Sequence, residues 1–387
     1  MKKRRKIAIV TGTRAEYGLL KALIDEIISD SSLLLQLIVT GTHLSSEFGN
    51  TYKQIEEDGL KIDKKIEMLL SSDTPVGISK SMALGLIGFS DAINELKPDI
   101  LVFIGDRFEI LCAGIAGIIH KIPMAHIGGG ESTRGAIDEA IRHSLTKMAQ
   151  FHFVSTQTYK KRIIQLGENP SMVFNVGALG AEVIKKTTLL SKHEIESMLK
   201  ITFKEKNFLV TYHPVTLENN SAEKQIKELL KALVELENTL LIFTKSNADE
   251  GGRLINKMID EFVERYPQKA VVFISLGQLR YLSIMKVVDG VIGNSSSGIV
   301  EAPSFKIGTI DIGNRQAGRV CATSIINCDP TKKSISDAIN RLYSKRFQNH
   351  LKKVKNPHEQ SNTVKKIKKI LKEKNLTNVL EKTFFDL

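Results

Sequence analysis

Residues 6–18 read KIAIVTGTRAEYG. Ile7, Ala8, Ile9 and Val10 form an unbroken apolar run, the composition of a strand buried on both faces of a parallel sheet. Gly12 ends the run, and over residues 16–28 apolar side chains recur at helical spacing. Strand, glycine turn and helix in that order open a βαβ unit.

The alternation continues along the chain. Residues 35–40, 100–104, 123–127 and 151–154 read as further strands, with helices over 78–96 and 107–120. The pattern then restarts: strands over 208–212, 240–243, 270–274, 290–292 and 309–312, and helices over 222–236, 251–266, 279–287 and 298–305. Two consecutive doubly wound α/β modules account for this, and 387 residues suit two domains better than one. The joint is expected between residues 177 and 206, where strand signals lapse and 189–199 reads as a short helix. A terminal helix over 361–374 has no strands around it and is expected to pack across the modules. The expected division is 1–180, 181–358 and a closing helix and tail over 359–387.

Hydrophobic residues make up 42% and charged residues 25%, the composition of a folded protein. The start, MKKRRKIAIVTG, is basic, but its apolar run is shorter than the ~7–15 residues of a secretory h-region. No uninterrupted apolar stretch approaches the ~20 residues that span a bilayer. A cytoplasmic protein without a membrane partner is expected. Cys112, Cys321 and Cys328 are an odd count without CxxC spacing, which suits neither a disulfide framework nor a zinc site.

The net charge of +12 favours acidic partners: nucleic acid, anionic lipid or a phosphorylated small molecule. Much of the excess lies in the tail, from Lys352 to Lys374. It comes without aromatic interleaving or a nucleic-acid reading motif, so a solvated lysine face is expected and nucleic acid is not.

In open α/β sheets ligands bind beyond the carboxyl ends of the strands, and the unusual polar residues fall there. Gly12-Thr13-Arg14 follows the first strand and offers backbone N–H groups, a helix N-terminus and a guanidinium to a phosphate. It is neither a Walker A loop nor GxGxxG. Gly105-Asp106-Arg107-Phe108-Glu109 follows the 100–104 strand, either as a cap or as part of a site. Gly128-Gly129-Gly130-Glu131 follows the next, and three glycines let backbone approach a ligand closely. In Asp138-Glu139-Ala140-Ile141-Arg142-His143, the spacing predicts i,i+4 pairs that stabilise a helix without further purpose. Asp106, Glu131 and Asp138 nevertheless all fall at strand ends or helix starts of one module, and converging carboxylates suit acid–base work. In the second module His213-Pro214 follows the first strand. Gly293-Asn294-Ser295-Ser296-Ser297-Gly298 follows the fourth and could hold phosphate through hydroxyl and N–H donors. Glu301, one turn further, could accept from ribose hydroxyls. No HExxH pair or DxD cluster points to a metal.

The set GTRAEYG, GDRFE, HIGGGE, DEAIRHSLTK, HPVT, GNSSSGIVEAPSF and NRQAGR, in order from Lys6 to Arg319, resembles the UDP-N-acetylglucosamine 2-epimerase family, most closely its hydrolysing branch. The resemblance implies a glycosyltransferase-B-like fold: two Rossmann-like modules facing across a cleft, with a C-terminal helix returning to the first. By position, Asp106, Glu131, Asp138 and His213 match the family's catalytic residues. Arg14, Arg107, Ser295, Ser296, Glu301 and Arg315 match those that hold UDP, and Arg142, His213, Asn247 and Leu276 complete the substrate-binding set. The segment Ser132-Thr133-Arg134-Gly135 lies where the sugar should sit. No cofactor and no metal is implied, and a homodimer or homotetramer is expected.

The expected reaction converts UDP-N-acetylglucosamine and water to N-acetylmannosamine and UDP, the entry to sialic-acid synthesis, by elimination of UDP to a glycal and hydration. The alternatives are the same chemistry on UDP-2,4-diacetamido-2,4,6-trideoxyglucose and a UDP-sugar glycosyltransferase. A nucleic-acid-binding protein is the rival from outside enzymes.

Overall fold

The computed structural model describes residues 4–218 and 221–387; the first three residues of the basic opening lie outside them. Two compact units are present. The first runs to Glu131, resumes over Asp138–Val183 and closes with His358–Leu387; the second comprises Ser132–Ile137 and Ile184–Pro357.

The first unit holds a parallel sheet of strands β1 (Arg5–Thr11), β2 (Leu33–Thr40), β3 (Lys64–Ile66), β4 (Ile100–Ile104), β5 (Met124–Ile127), β6 (Phe151–Val154) and β7 (Val173–Asn175). Their spatial order is β3-β2-β1-β4-β5-β6-β7. The second holds β8 (Lys206–Thr211), β9 (Thr239–Thr244), β10 (Ala270–Phe273), β11 (Gly290–Gly293), β12 (Gly308–Ile312) and β13 (Ile325–Cys328), in the order β10-β9-β8-β11-β12-β13. Numbered within each unit, both orders contain 3-2-1-4-5-6, the doubly wound Rossmann arrangement. Each sheet therefore reverses its winding once, between β1 and β4 and between β8 and β11.

Alternation along β1 shows why its sequence is apolar throughout. Ile7 and Ile9 join the core on one face of the sheet, and Ala8 and Val10 the core on the other. In β8 Phe208 and Val210 take one face and Leu209 the opposite one.

The strands and helices expected from periodicity are present; helices over Tyr52–Glu57, Gln157–Gln165, Leu179–Lys186, Lys332–Tyr343 and Lys345–Leu351 come in addition to them, and there are three further differences. Strands β3, β7 and β13 were not anticipated; each is an edge or near-edge strand of three or four residues, too short to carry a period of two. The helix expected over 298–305 is divided into Ser296–Val300 and a 3-10 turn over Ala302–Phe305. Pro303 is the cause, because it lacks the N–H that a continuous helix would need. Residues 132–137, assigned by sequence to the first module, belong to the second unit. There the Leu217 N–H donates to the Gly135 carbonyl (3.2 Å) and the Ile137 N–H to Thr216 Oγ1 (3.1 Å).

The Thr363–Glu373 helix packs on the first unit. Val364, Ile367 and Leu371 enter the core formed by Leu20, Leu23 and Ile27. Thr363 Oγ1 donates to the Val176 carbonyl (2.6 Å), and the Arg5 guanidinium donates to the Leu371 carbonyl at the other end (2.7 Å). Part of the basic tail is paired rather than merely solvated: Lys368 meets Glu26 (3.0 Å) and Lys372 meets Asp30 (2.8 Å). Ile367 is fully buried, so Ile367→Ala should cost about 2–5 kcal/mol by urea denaturation of the whole chain. Lys365→Glu, on the exposed face of the same helix, should stay within about 0.5 kcal/mol of the parent.

Candidate active site

Each unit carries its unusual polar residues at the point where its sheet reverses winding. In the first unit Thr13 caps the Arg14–Ile28 helix, its Oγ1 accepting the Glu16 N–H (3.2 Å), while Glu16 Oε2 accepts from the Gly12 N–H (2.7 Å). Burial, and then the charge of Glu109, push the Glu16 carboxyl up to about 8. Arg14 is the first residue of this helix and is half-buried.

Across the switch point, β4 leads into Asp106 and Arg107. Arg107 precedes the Phe108–Ile119 helix, and its Nε lies 3.2 Å from the buried carboxylate of Glu109. After β5, Gly130 has φ +74°, and a Cβ there would lie 2.6 Å from the Tyr159 carbonyl oxygen. Only glycine fits. His126 lies beneath this turn and donates from Nε2 to the Gly105 carbonyl (2.7 Å), joining the ends of β4 and β5. Burial holds its imidazole at about 3, so it is neutral near pH 7.

Arg142 gathers the carboxylate-bearing segments. The Asp138–Met148 helix places its guanidinium, 1% exposed, in an ion pair with Asp106. It also donates to the Glu131 carbonyl (3.1 Å) and to Glu139 Oε2 (2.9 Å). Burial opposes this charge, but Asp106, Glu131 and Glu139 hold its pKa above the ordinary arginine value. Asp106, Glu131 and the start of the helix at Asp138 are thus brought to one locality. Glu131 and Asp138 are half-buried.

In the second unit His213 follows β8 and Asn294 follows β11. The Asn294 side chain bridges them, Oδ1 accepting from the His213 N–H (2.7 Å) and Nδ2 donating to the His213 carbonyl (2.8 Å). His213 Nδ1 lies 3.0 Å from Ser246 Oγ. The Asn294 carbonyl accepts from Arg315 (3.1 Å) and Gln316 (2.7 Å), which draws the Asn314–Arg319 segment over the same strand end. Ser295 caps the Ser296–Val300 helix, and the hydroxyl of Tyr281 donates to Ser297 Oγ (3.0 Å). Burial pushes the Glu301 carboxyl up, with the Ser297 hydrogen bond opposing.

Asn247 lies beyond β9, half-buried beside Ser246. The Leu276 side chain is part of the apolar core, so any contact it makes with a ligand falls to its main chain. The 132–137 segment lies directly against Arg315: a Cβ on Gly135 would come 2.8 Å from Val215 Cγ1 and 3.1 Å from Arg315 Cα.

Asp311, at the end of β12, was not singled out from sequence. Burial pushes its carboxyl up to about 7 against the charges of Arg315 and Arg319. The strand-end rule that found the other sites would have included it, but Asp311 sits inside the apolar run 308–312. Asn294 and His126 lay within quoted motifs without an assigned role. Among the described residues no group of three or more His, Cys, Asp or Glu side chains is arranged to hold a metal ion.

The family model for UDP-N-acetylglucosamine 2-epimerase matches residues 25–372. A Campylobacter jejuni protein described as GDP/UDP-N,N'-diacetylbacillosamine 2-epimerase (hydrolyzing) is 47% identical over 385 residues, covering 99% of this chain and 100% of its own. Polysialic acid biosynthesis protein P7 of Escherichia coli is 40% identical over 99% of this chain and 98% of its own. The crystal structure of the Neisseria meningitidis UDP-GlcNAc 2-epimerase bound to UDP-GlcNAc has the same two-domain, glycosyltransferase-B-like fold. It superposes with a TM-score of 0.77 at 17% identity, over 95% of this chain and 99% of that one. The chain belongs to the UDP-N-acetylglucosamine 2-epimerase family and is a hydrolysing 2-epimerase of UDP-sugars.

Proposed function

We propose that the chain acts on UDP-N,N'-diacetylbacillosamine, which is UDP-2,4-diacetamido-2,4,6-trideoxyglucose, and releases UDP and 2,4-diacetamido-2,4,6-trideoxymannose. The observation that carries this reading is the 47% identity, over the full length of both chains, to the Campylobacter jejuni protein described as acting on that sugar. UDP-N-acetylglucosamine, giving N-acetylmannosamine, is the second reading, favoured by the polysialic acid protein at 40% identity. A nucleotide sugar is charged and does not cross bilayers, which supports a cytoplasmic site of action.

The proton on C-2 is not adjacent to a carbonyl, so its removal needs help from C-1. The C-1–O bond breaks with its electron pair passing to UDP, and oxocarbenium character at C-1 acidifies the C-2 proton. Arg14, Arg107, Arg315 and the Ser295–Ser296 turn stabilise the departing diphosphate, with His213 assisting. A carboxylate takes the C-2 proton, and the C–H electron pair becomes the C-1=C-2 bond of a glycal. A proton then returns to C-2 on the other face while water adds to C-1 and loses its own proton. Glu131 and Asp138 form the acid–base pair in this reading, and Asp106 orients them through Arg142. Ser132, Thr133 and Arg134 read the sugar.

Three measurements test it. The kcat/KM for UDP-N,N'-diacetylbacillosamine should exceed that for UDP-N-acetylglucosamine by about 10-fold or more, the value of one or two hydrogen bonds to the extra acetamido group; the reverse ranking moves the assignment to N-acetylglucosamine. The GDP-linked sugar, run in parallel, reports whether uracil is required. Asp106→Asn, Glu131→Gln and Asp138→Asn should each lower kcat at least ~100-fold, and near-normal rates in all three would end the acid–base assignment. In deuterium oxide without any acceptor, the released sugar should carry one deuterium at C-2 by NMR. Retention of protium there would exclude the glycal.

A further inference from the structure

The Asn314–Arg319 segment is folded by two tight turns: the Ala317 N–H donates to the Asn314 carbonyl (3.0 Å), and the Arg319 N–H to the Gln316 carbonyl (3.2 Å). Within it Gly318 stands at φ +87°, a left-handed conformation that glycine adopts without steric strain. A turn alone would account for that angle. It does not account for what lies over the residue. A Cβ on Gly318 would come 2.8 Å from Ser132 Oγ, 3.0 Å from Arg134 Nε and 3.1 Å from Ser132 Cβ. Its three nearest neighbours are therefore all atoms of two side chains proposed above to read the sugar.

The 132–137 segment has no helix or strand to fix its shape, so its side chains lie where its supports put them. Those supports are all in the second unit. Gly318 lies beneath Ser132 and Arg134, and Gly135 rests against Val215 and the Arg315 main chain. At the far end Thr216 Oγ1 accepts the Ile137 N–H (3.1 Å), and between these points the Ala136 N–H closes a turn onto the Thr133 carbonyl (3.0 Å). Ser132 and Thr133 are buried in this seat, 4% and 2% exposed.

We infer that Gly318 and Thr216 are positioning residues for discrimination between sugars, acting through the 132–137 segment. Gly318 leaves the space into which Ser132 and Arg134 settle, and Thr216 holds the other end of the segment in register with it. The inference rests on the reading that Ser132, Thr133 and Arg134 meet the sugar. A methyl group at position 318 displaces the first and third of these by a few tenths of an ångström, a shift that geometry-sensitive recognition registers.

The readout is the ratio of kcat/KM for UDP-N,N'-diacetylbacillosamine to that for UDP-N-acetylglucosamine, with UDP affinity measured by calorimetry on the same preparations. Gly318→Ala should change the ratio ~5-fold or more and leave UDP affinity within ~3-fold of the parent. Thr216→Val, which removes the acceptor but keeps the shape, should change the ratio ~3-fold or more. Gly313→Ala is the control for backbone strain: Gly313 has φ +76° in the adjoining turn, and a Cβ there would meet no heavy atom of the described residues within 4 Å. It should leave the ratio within ~2-fold of the parent. In a Ser132→Gly background, where the added methyl has room, the effect of Gly318→Ala should shrink to within ~2-fold.

Ser132→Gly and Arg134→Ala alone test the underlying reading, and a parent-like ratio in both would remove it and this inference together. If they change the ratio, a parent-like ratio in folded Gly318→Ala or in Thr216→Val overturns the inference alone. So does a Gly313→Ala effect as large as that of Gly318→Ala, or a Gly318→Ala variant that loses UDP affinity at an unchanged ratio. Circular dichroism checks folding, and if Gly318→Ala does not fold, Thr216→Val decides.

Discussion

A guanidinium removed from water has to find acceptors for its charge, and Arg142 finds them in three separate segments of the first unit. The cost of desolvating such an ion is several kcal/mol before its partners are counted. Asp106, the Glu131 main chain and Glu139 together offset it. The same interaction fixes the end of β4, the glycine turn after β5 and the start of the Asp138–Met148 helix with respect to one another. The segments that carry the carboxylates proposed for proton transfer are therefore held by a group that also maintains the fold. Substitution of Asp106 by a residue that cannot accept a hydrogen bond would remove one of the acceptors of Arg142.

The two sheets provide the same service at different ends of the chain. A parallel strand buried on both faces has no freedom to slip, because its alternate residues are committed to two cores. Its carboxyl end is consequently a fixed platform. Each winding reversal then leaves two such ends side by side with helix starts beyond them. Thr13 with Asp106 and Arg107 occupy one reversal, and His213 with Asn294 and Ser295 the other.

Much of this was legible in the sequence because it is local. Apolar runs such as 7–10 and 208–210 announce buried parallel strands, and the polar residues that follow them announce the sites. What was not legible depends on distance. Arg142 and Asp106 are separated by 36 positions, and nothing in the DEAIRH spacing indicates that the arginine reaches beyond its own helix. The edge strands β3, β7 and β13 exist because a neighbouring strand offers unpaired backbone groups, which a three-residue run cannot advertise. Asp311 reads as one polar residue within a strand until burial and two arginines give it a character of its own. The transfer of 132–137 to the second unit depends on hydrogen bonds to residues some 80 positions away.

The glycine turn and the segment that follows it differ in how much chemical change they can absorb. At position 130 even a methyl group meets the Tyr159 carbonyl, whereas Arg134 points its bulk toward solvent. Attempts to retool this enzyme for another sugar by random mutagenesis would thus recover few survivors at Gly130. The productive lineages would accumulate at Arg134, where a new side chain can be tried without dismantling the scaffold beneath it, rather than at the buried Ser132 and Thr133.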